Sequence, residues 1–138
     1  MNTSTGSVDV EPQAGIGLED FERVRTYLAP AVALVPTEMN LDELHAGIAK
    51  GEYQLWSGPH SALVTEVIDF PRERVLHFTL AGGHLAEIEA MLPPILAWGR
   101  EIGATRTTLA GREGWQRAWL TKKLGWKVKA VVMEAELI

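Results

Sequence analysis

The sequence predicts an α+β fold in which helices flank a mixed sheet. Three observations carry that reading. Segments with strand-like patterning occupy residues 53 to 80 and are joined by turns short enough to demand an antiparallel meander. Two helix-like segments precede them. After Leu80 a Gly-Gly pair leads into a long helical pattern and then a short strand, an order that implies a right-handed crossover between parallel strands.

Residues 1–17 are rich in Ser, Thr, Gly, Pro and acidic side chains and show no usable period, so they read as a flexible N-terminal arm, ordered only if something holds it. Residues 18–138 read as a single domain. Asp20 is placed to cap a helix whose Phe21, Val24 and Leu28 share a face, with an end expected near Pro30. Asn40-Leu-Asp-Glu43 is a capping box, in which the Asn and Glu side chains each accept a free backbone N–H of the other residue. Leu41, Leu44 and Ile48 then line one face, and Gly51 ends the helix.

Tyr53 to Ser57 reads as a short strand, Gly58-Pro59 as a turn, and Ser61 to Phe70 as an alternating strand. Pro71-Arg-Glu is a second turn, followed by a strand from Arg74 to Leu80. His84 to Ile102 reads as a helix with Leu85, Ile88, Leu92, Ile95 and Ile102 inward. Pro93-Pro94 in its middle should kink or split it, because proline removes backbone donors. A strand over Thr105 to Ala110, a helix from about Glu113 to Leu124, and a last strand over Trp126 to Leu137 complete the pattern.

At 138 residues, 46% of them hydrophobic, the chain is sized for one core and has no composition of disorder. It lacks cysteine, which excludes disulfides, thiolate nucleophiles and cysteine metal sites. No run approaches the roughly 18 apolar residues of a membrane span, so no membrane partner is expected. A net charge of −5 disfavours nucleic acid as the main partner. The charge is uneven, however. Between Arg100 and Lys129 stand eight Lys and Arg residues against two Glu, an end suited to an anionic ligand or an acidic protein.

Several residues invite a chemical reading. Glu66 interrupts the apolar strand face of Ala62, Val64, Ile68 and Phe70, where a raised pKa would suit a general base; the plainer alternative is a paired or solvated strand carboxylate. Gly82 and Gly83 permit a tight strand-to-helix turn, and the backbone N–H groups they free, with His84 and Leu85, would form an anion seat. The four histidines carry no metal-binding spacing, and no metal site is expected. Trp115 and Trp119 lie one turn apart on a helix with Arg112 and Arg117 beside them, which suits core packing, a protein interface or an anion contact.

The order of elements, and the stretch from Gly111 to Trp126 in which a helix ends at a Gly followed by an aromatic, resemble the GCN5-related N-acetyltransferase (GNAT) family over residues 18–138. More narrowly, Gln54-Leu-Trp56, Leu80-Ala-Gly-Gly83, Met91-Leu-Pro93 and Gly111-Arg-Glu-Gly-Trp115 resemble GNAT-like proteins encoded by tailed phages and prophages. The family resemblance implies an acyl-CoA N-acyltransferase-like fold. It also implies a Gln/Arg-x-x-Gly-x-Gly/Ala turn for the cofactor pyrophosphate, and here the sequence departs. With Gly83 as the first glycine, Leu80 and Leu85 stand at the outer positions; with Gly82, Thr79 and His84 do. The family's tyrosine general acid corresponds to Thr121, and an aliphatic hydroxyl does not replace a phenol.

Two functions are therefore expected side by side. One is a catalytically degenerate GNAT-like domain that needs no cofactor and binds a protein partner. That partner would be another phage protein or a second copy, in the host cytoplasm or on the virion. The other is an acetyl-CoA-dependent N-acyltransferase that transfers directly to an amine, with Glu66 as base.

Overall fold

A computed structural model describes residues 13–35, 38–110 and 125–137. The chain divides into two compact units, Met1–Thr108 and Leu109–Ile138.

In the first unit a short 3-10 turn, Leu18–Asp20, leads into α1 (Phe21–Val32) and α2 (Leu41–Lys50). Strands β1 (Gln54–Gly58), β2 (Ser61–Asp69) and β3 (Arg74–Gly83) follow, then α3 (Leu85–Glu101) and β4 (Arg106–Leu109). The sheet order is β1-β2-β3-β4. The first three strands form the expected antiparallel meander. β4 runs parallel to β3: Thr105 N–H bonds to Arg74 at one end, and Thr108 meets His77 three residues further along both strands. The long helix between them is the crossover, and the sheet is mixed as predicted.

Strand alternation assigns the two faces. Leu55, Ala62, Val64 and Leu80 join Phe21, Val24, Leu28, Leu44 and Ile48 in one core beneath α1 and α2. The neighbouring residue Trp56 points the other way and meets Trp98 of α3 edge-on, with ring centroids 5.3 Å apart. Ile88, Leu92, Ile95 and Ile102 are buried along α3. The sheet is thus sandwiched between α1–α2 and α3.

The Asn40–Glu43 capping box is present, with Glu43 N–H donating to Asn40 Oδ1 at 2.8 Å and Asn40 N–H to Glu43 Oε1 at 3.0 Å. Gly51 ends α2 with φ of 87°. Asp20 precedes α1 but makes no side-chain cap. Its carboxylate instead accepts the Ser57 hydroxyl at 2.6 Å, tying the helix start to β1. Residues 14–17, assigned from sequence to the arm, are held: Gly15 N–H donates to Ile48 O, and Leu55 N–H to Ile16 O.

Five expectations are corrected. α1 passes through Pro30 to Val32, and α3 is a single element across Pro93 and Pro94. All three prolines are solvent-exposed, so water can take up the carbonyls they leave without a donor. Leu85 is not inward but 47% exposed, one position into α3. β3 does not stop at Leu80: it runs through the glycines, with Ala62 opposite Gly82 and Ser61 opposite Gly83. Finally, residues 126–137 form no strand, and Val131, Met133 and Leu137 are exposed. Their alternation is real, but a strand requires a neighbour to take its ladder hydrogen bonds, and the ladder among the described residues consists of β1 to β4. The helix expected over 113–124 lies outside the described residues.

Candidate functional site

The tight turn between β2 and β3 fixes the register Asp69 opposite Arg74, and counting back three residues on each side brings Glu66 opposite His77. Arg74 locks that end of the hairpin: its Nε donates to Asp69 Oδ1 at 2.7 Å and its Nη1 to Ile102 O at 2.7 Å. On the far side of His77, Thr108 of β4 brings its hydroxyl within 2.8 Å of the imidazole Nδ1. On the near side, the pairing of Gln54 with Thr65 puts Tyr53 in line with Glu66. Tyr53, Glu66, His77 and Thr108 therefore form one polar row across the sheet, on the face that α1 and α2 cover.

Burial gives this row its electrostatics. It raises the Glu66 carboxyl above its ordinary value of 4.5, since water no longer solvates the charge fully. It lowers the His77 imidazole below 6.5, for the same reason acting on a cation. The Tyr53 phenol is raised first by burial and then by the charges of Glu66, Glu52 and Glu38. A carboxylate with heightened proton affinity thus faces an imidazole that stays neutral at pH 7.

A break in the ladder lies next to the row. Val64 pairs with Leu80 but Thr65 with Phe78, which leaves Thr79 as the extra residue of a β-bulge. Bulges take backbone groups out of the ladder and recur beside active sites. Among the described residues the buried Thr79 hydroxyl has no hydrogen-bond partner.

The β3–α3 junction holds the remaining predicted residues. A Cβ on Gly82 would strike the Tyr27 carbonyl oxygen of α1, and one on Gly83, where φ is 114°, would meet His60 O and Ser61. Both glycines thus serve close backbone packing. His84 N–H donates to Ser61 Oγ at 3.0 Å, and the His84 side chain provides no cap for α3. His84, Leu85 and Ala86 are exposed. Among the described residues the start of this 17-residue helix is exposed and His84 makes no side-chain cap, which fits a phosphate held by backbone donors. Arg23 of α1 reaches the adjoining β1–β2 turn, where its Nη1 donates to Gly58 O at 3.1 Å. Glu87 turns toward the β1–β2 hairpin, where its Oε1 accepts His60 N–H at 2.8 Å. That bond, first among several, holds the Glu87 carboxyl below its ordinary value.

Glu66 and the Gly82–Leu85 junction thus occupy different ends of the hairpin. Sequence reasoning misses His77, because the histidines look scattered along the chain; the hairpin register is the signal that finds it. Trp115, Trp119, Arg112 and Arg117 lie outside the described residues. Among the described residues no helix is long and apolar enough to cross a membrane.

The chain matches no protein-family model and no curated protein. Solved structures do match. A probable acetyltransferase is similar with a TM-score of 0.65 at 10% identity, over 88% of this chain and 93% of that one. The aminoglycoside acetyltransferase meta-AAC0020 from an uncultured soil metagenomic sample, solved with sisomicin, gives 0.64 at 9% identity, over 94% and 95%. The wild-type protein TTHA1254 from Thermus thermophilus gives 0.59 at 14% identity, over 90% and 95%. The fold is that of GNAT-type acetyltransferases, an acyl-CoA N-acyltransferase-like α+β fold.

Proposed function

We propose that this protein is an acyl-CoA-dependent N-acyltransferase that transfers an acyl group directly to an amine. The observation that carries the reading is the Glu66–His77–Thr108 row beside the Thr79 bulge. Acetyl-CoA, when bound, supplies the acyl group and leaves as the thiol. The backbone N–H groups at the start of α3, from Leu85 to Glu87, would hold its pyrophosphate, at a junction that Gly82 and Gly83 keep packed against α1 and β2. Glu66 takes the proton from the acceptor's ammonium, and its raised proton affinity matches that task. His77, neutral and fixed by Thr108, orients the acceptor or an intervening water. Backbone groups freed at the bulge polarise the acyl carbonyl. The neutral amine then forms the C–N bond as the C–S bond breaks; the second proton lost by the nitrogen goes to the departing sulfur, and the one taken by Glu66 is released to solvent. With no cysteine in the chain, transfer is direct.

A second reading, a partner-binding domain without catalysis, draws on the leucines at positions 80 and 85, where the family carries polar or small residues, and on Thr121 in place of its tyrosine. The phage or virion setting belongs to that reading. An acetyl-transfer assay with acetyl-CoA and a panel of primary amines, aminoglycosides and polyamines included, separates the two. The acyltransferase reading predicts turnover that Glu66→Gln lowers by about 10²–10⁴-fold. Equal rates for Glu66→Gln and wild type, or no transfer above the background without protein, would remove Glu66 from the mechanism or catalysis from the protein.

A further inference from the structure

Outside the polar row, the structure gathers three metal-ligating side chains that the sequence keeps apart. His60 sits in the tight turn between β1 and β2, His84 is the residue before α3, and Glu87 lies in its first turn. One ligand atom from each falls within 4.8 Å of the other two. The two imidazoles stack, with centroids 5.3 Å apart and planes 15° from parallel. His60 Nδ1 is 3.9 Å from Glu87 Oε2. We propose that His60, His84 and Glu87 form a binding site for a divalent transition-metal ion of the Zn²⁺ class.

The donor set suits such an ion: two imidazoles and one carboxylate, with no thiolate, favour borderline metals over Ca²⁺ or Mg²⁺. Ligands on one tetrahedral Zn²⁺ lie about 3.3 Å apart, given metal–ligand bonds near 2.0–2.1 Å. His60, whose side chain is 61% exposed, and the exposed His84 have room to rotate toward that spacing.

Backbone hydrogen bonds fix where two of these residues start. Glu87 Oε1 is committed to His60 N–H at 2.8 Å, which leaves Oε2 turned toward the imidazoles. His84 is fixed through its own N–H by Ser61 Oγ. Three protein ligands on an open surface leave a coordination position for water or a ligand oxygen.

This site is separate from the acyl-transfer row, since Ser61 and Glu66 are roughly 16 Å apart along β2. It does adjoin the open start of α3. A bound cation would supply the positive charge that Leu80 and Leu85 cannot, next to the proposed pyrophosphate seat. That consequence rests on the acyltransferase reading; metal binding itself does not.

The test is calorimetric titration of the full chain, stripped with chelator, with Zn²⁺ alone, alongside visible absorption after loading with Co²⁺. We expect one ion per chain with micromolar or tighter affinity, and Co²⁺ bands of low-coordinate intensity. His60→Ala and Glu87→Gln should each weaken binding by at least roughly tenfold, while His45→Ala, on the far helix α2, should bind as wild type. Because His60 lies in an exposed turn, its variant is expected to fold, and circular dichroism checks that it does. Absence of saturable binding, or wild-type affinity in both His60→Ala and Glu87→Gln, would overturn the proposal whatever the outcome of the acyl-transfer assay.

Discussion

Glu66 and His77 stand directly opposite one another on β2 and β3, three residue pairs in from the turn that joins the strands. Both are half-buried on the face covered by α1 and α2, and burial moves their proton affinities toward each other: the carboxyl upward, the imidazole downward. At neutral pH the row therefore offers a neutral imidazole beside a carboxyl with heightened proton affinity.

The first consequence is a pH-dependent stability effect. A carboxyl whose pKa is raised by folding binds its proton more tightly in the native state. Its favourable contribution is present below the unfolded carboxyl value and is lost as pH rises through the folded one. Glu66→Gln removes that loss. Its melting temperature should exceed wild type at pH 7, with the difference shrinking toward pH 4. A variant that is less stable than wild type at pH 7 would mean that Glu66 is paired rather than desolvated.

His77 provides the complementary measurement. Burial lowers its pKa, so the native state resists the proton. Its stabilising effect is present above the unfolded value of 6.5 and is lost as pH falls through that value toward the folded one. An NMR titration of the four imidazoles should find one, assigned through His77→Gln, that titrates below 6.5. A value at or above 6.5 would contradict the burial seen on this face.

The glycines of the junction predict a contrast. Gly82→Ala drives a methyl into the Tyr27 carbonyl and should cost about 1–3 kcal/mol in urea denaturation. Gly15→Ala has the same kind of change at φ of 81° but nothing within 4 Å, so only backbone strain remains, on the order of 1 kcal/mol. Equal costs at the two positions would mean that β3 does not press on α1 as described.

Much of this is legible in the chain. The Asn40 capping box, Gly51 and the two hairpin turns act through neighbours in sequence, and each stands where its residues imply. Where sequence reasoning fails, the deciding atom lies far away. Gly82 and Gly83 look like a turn because nothing local shows the Tyr27 carbonyl or the Ser61 strand that hold them in β3. Pro93 and Pro94 look like a break because only the packed helix shows that they face water. Glu66 stands out from its apolar row, but His77 requires the hairpin register, and the His60–His84–Glu87 group requires β3 and α3 to be laid against the β1–β2 turn.

The central claim is that this acetyltransferase-like fold still accepts an acyl-CoA, and the most direct measurement is calorimetric titration with acetyl-CoA and with free coenzyme A in low-salt buffer. The account predicts micromolar binding of both, weakened by added salt because backbone donors at the start of α3 hold the phosphates. No heat and no competition up to millimolar ligand would contradict it and would leave the partner-binding reading in its place.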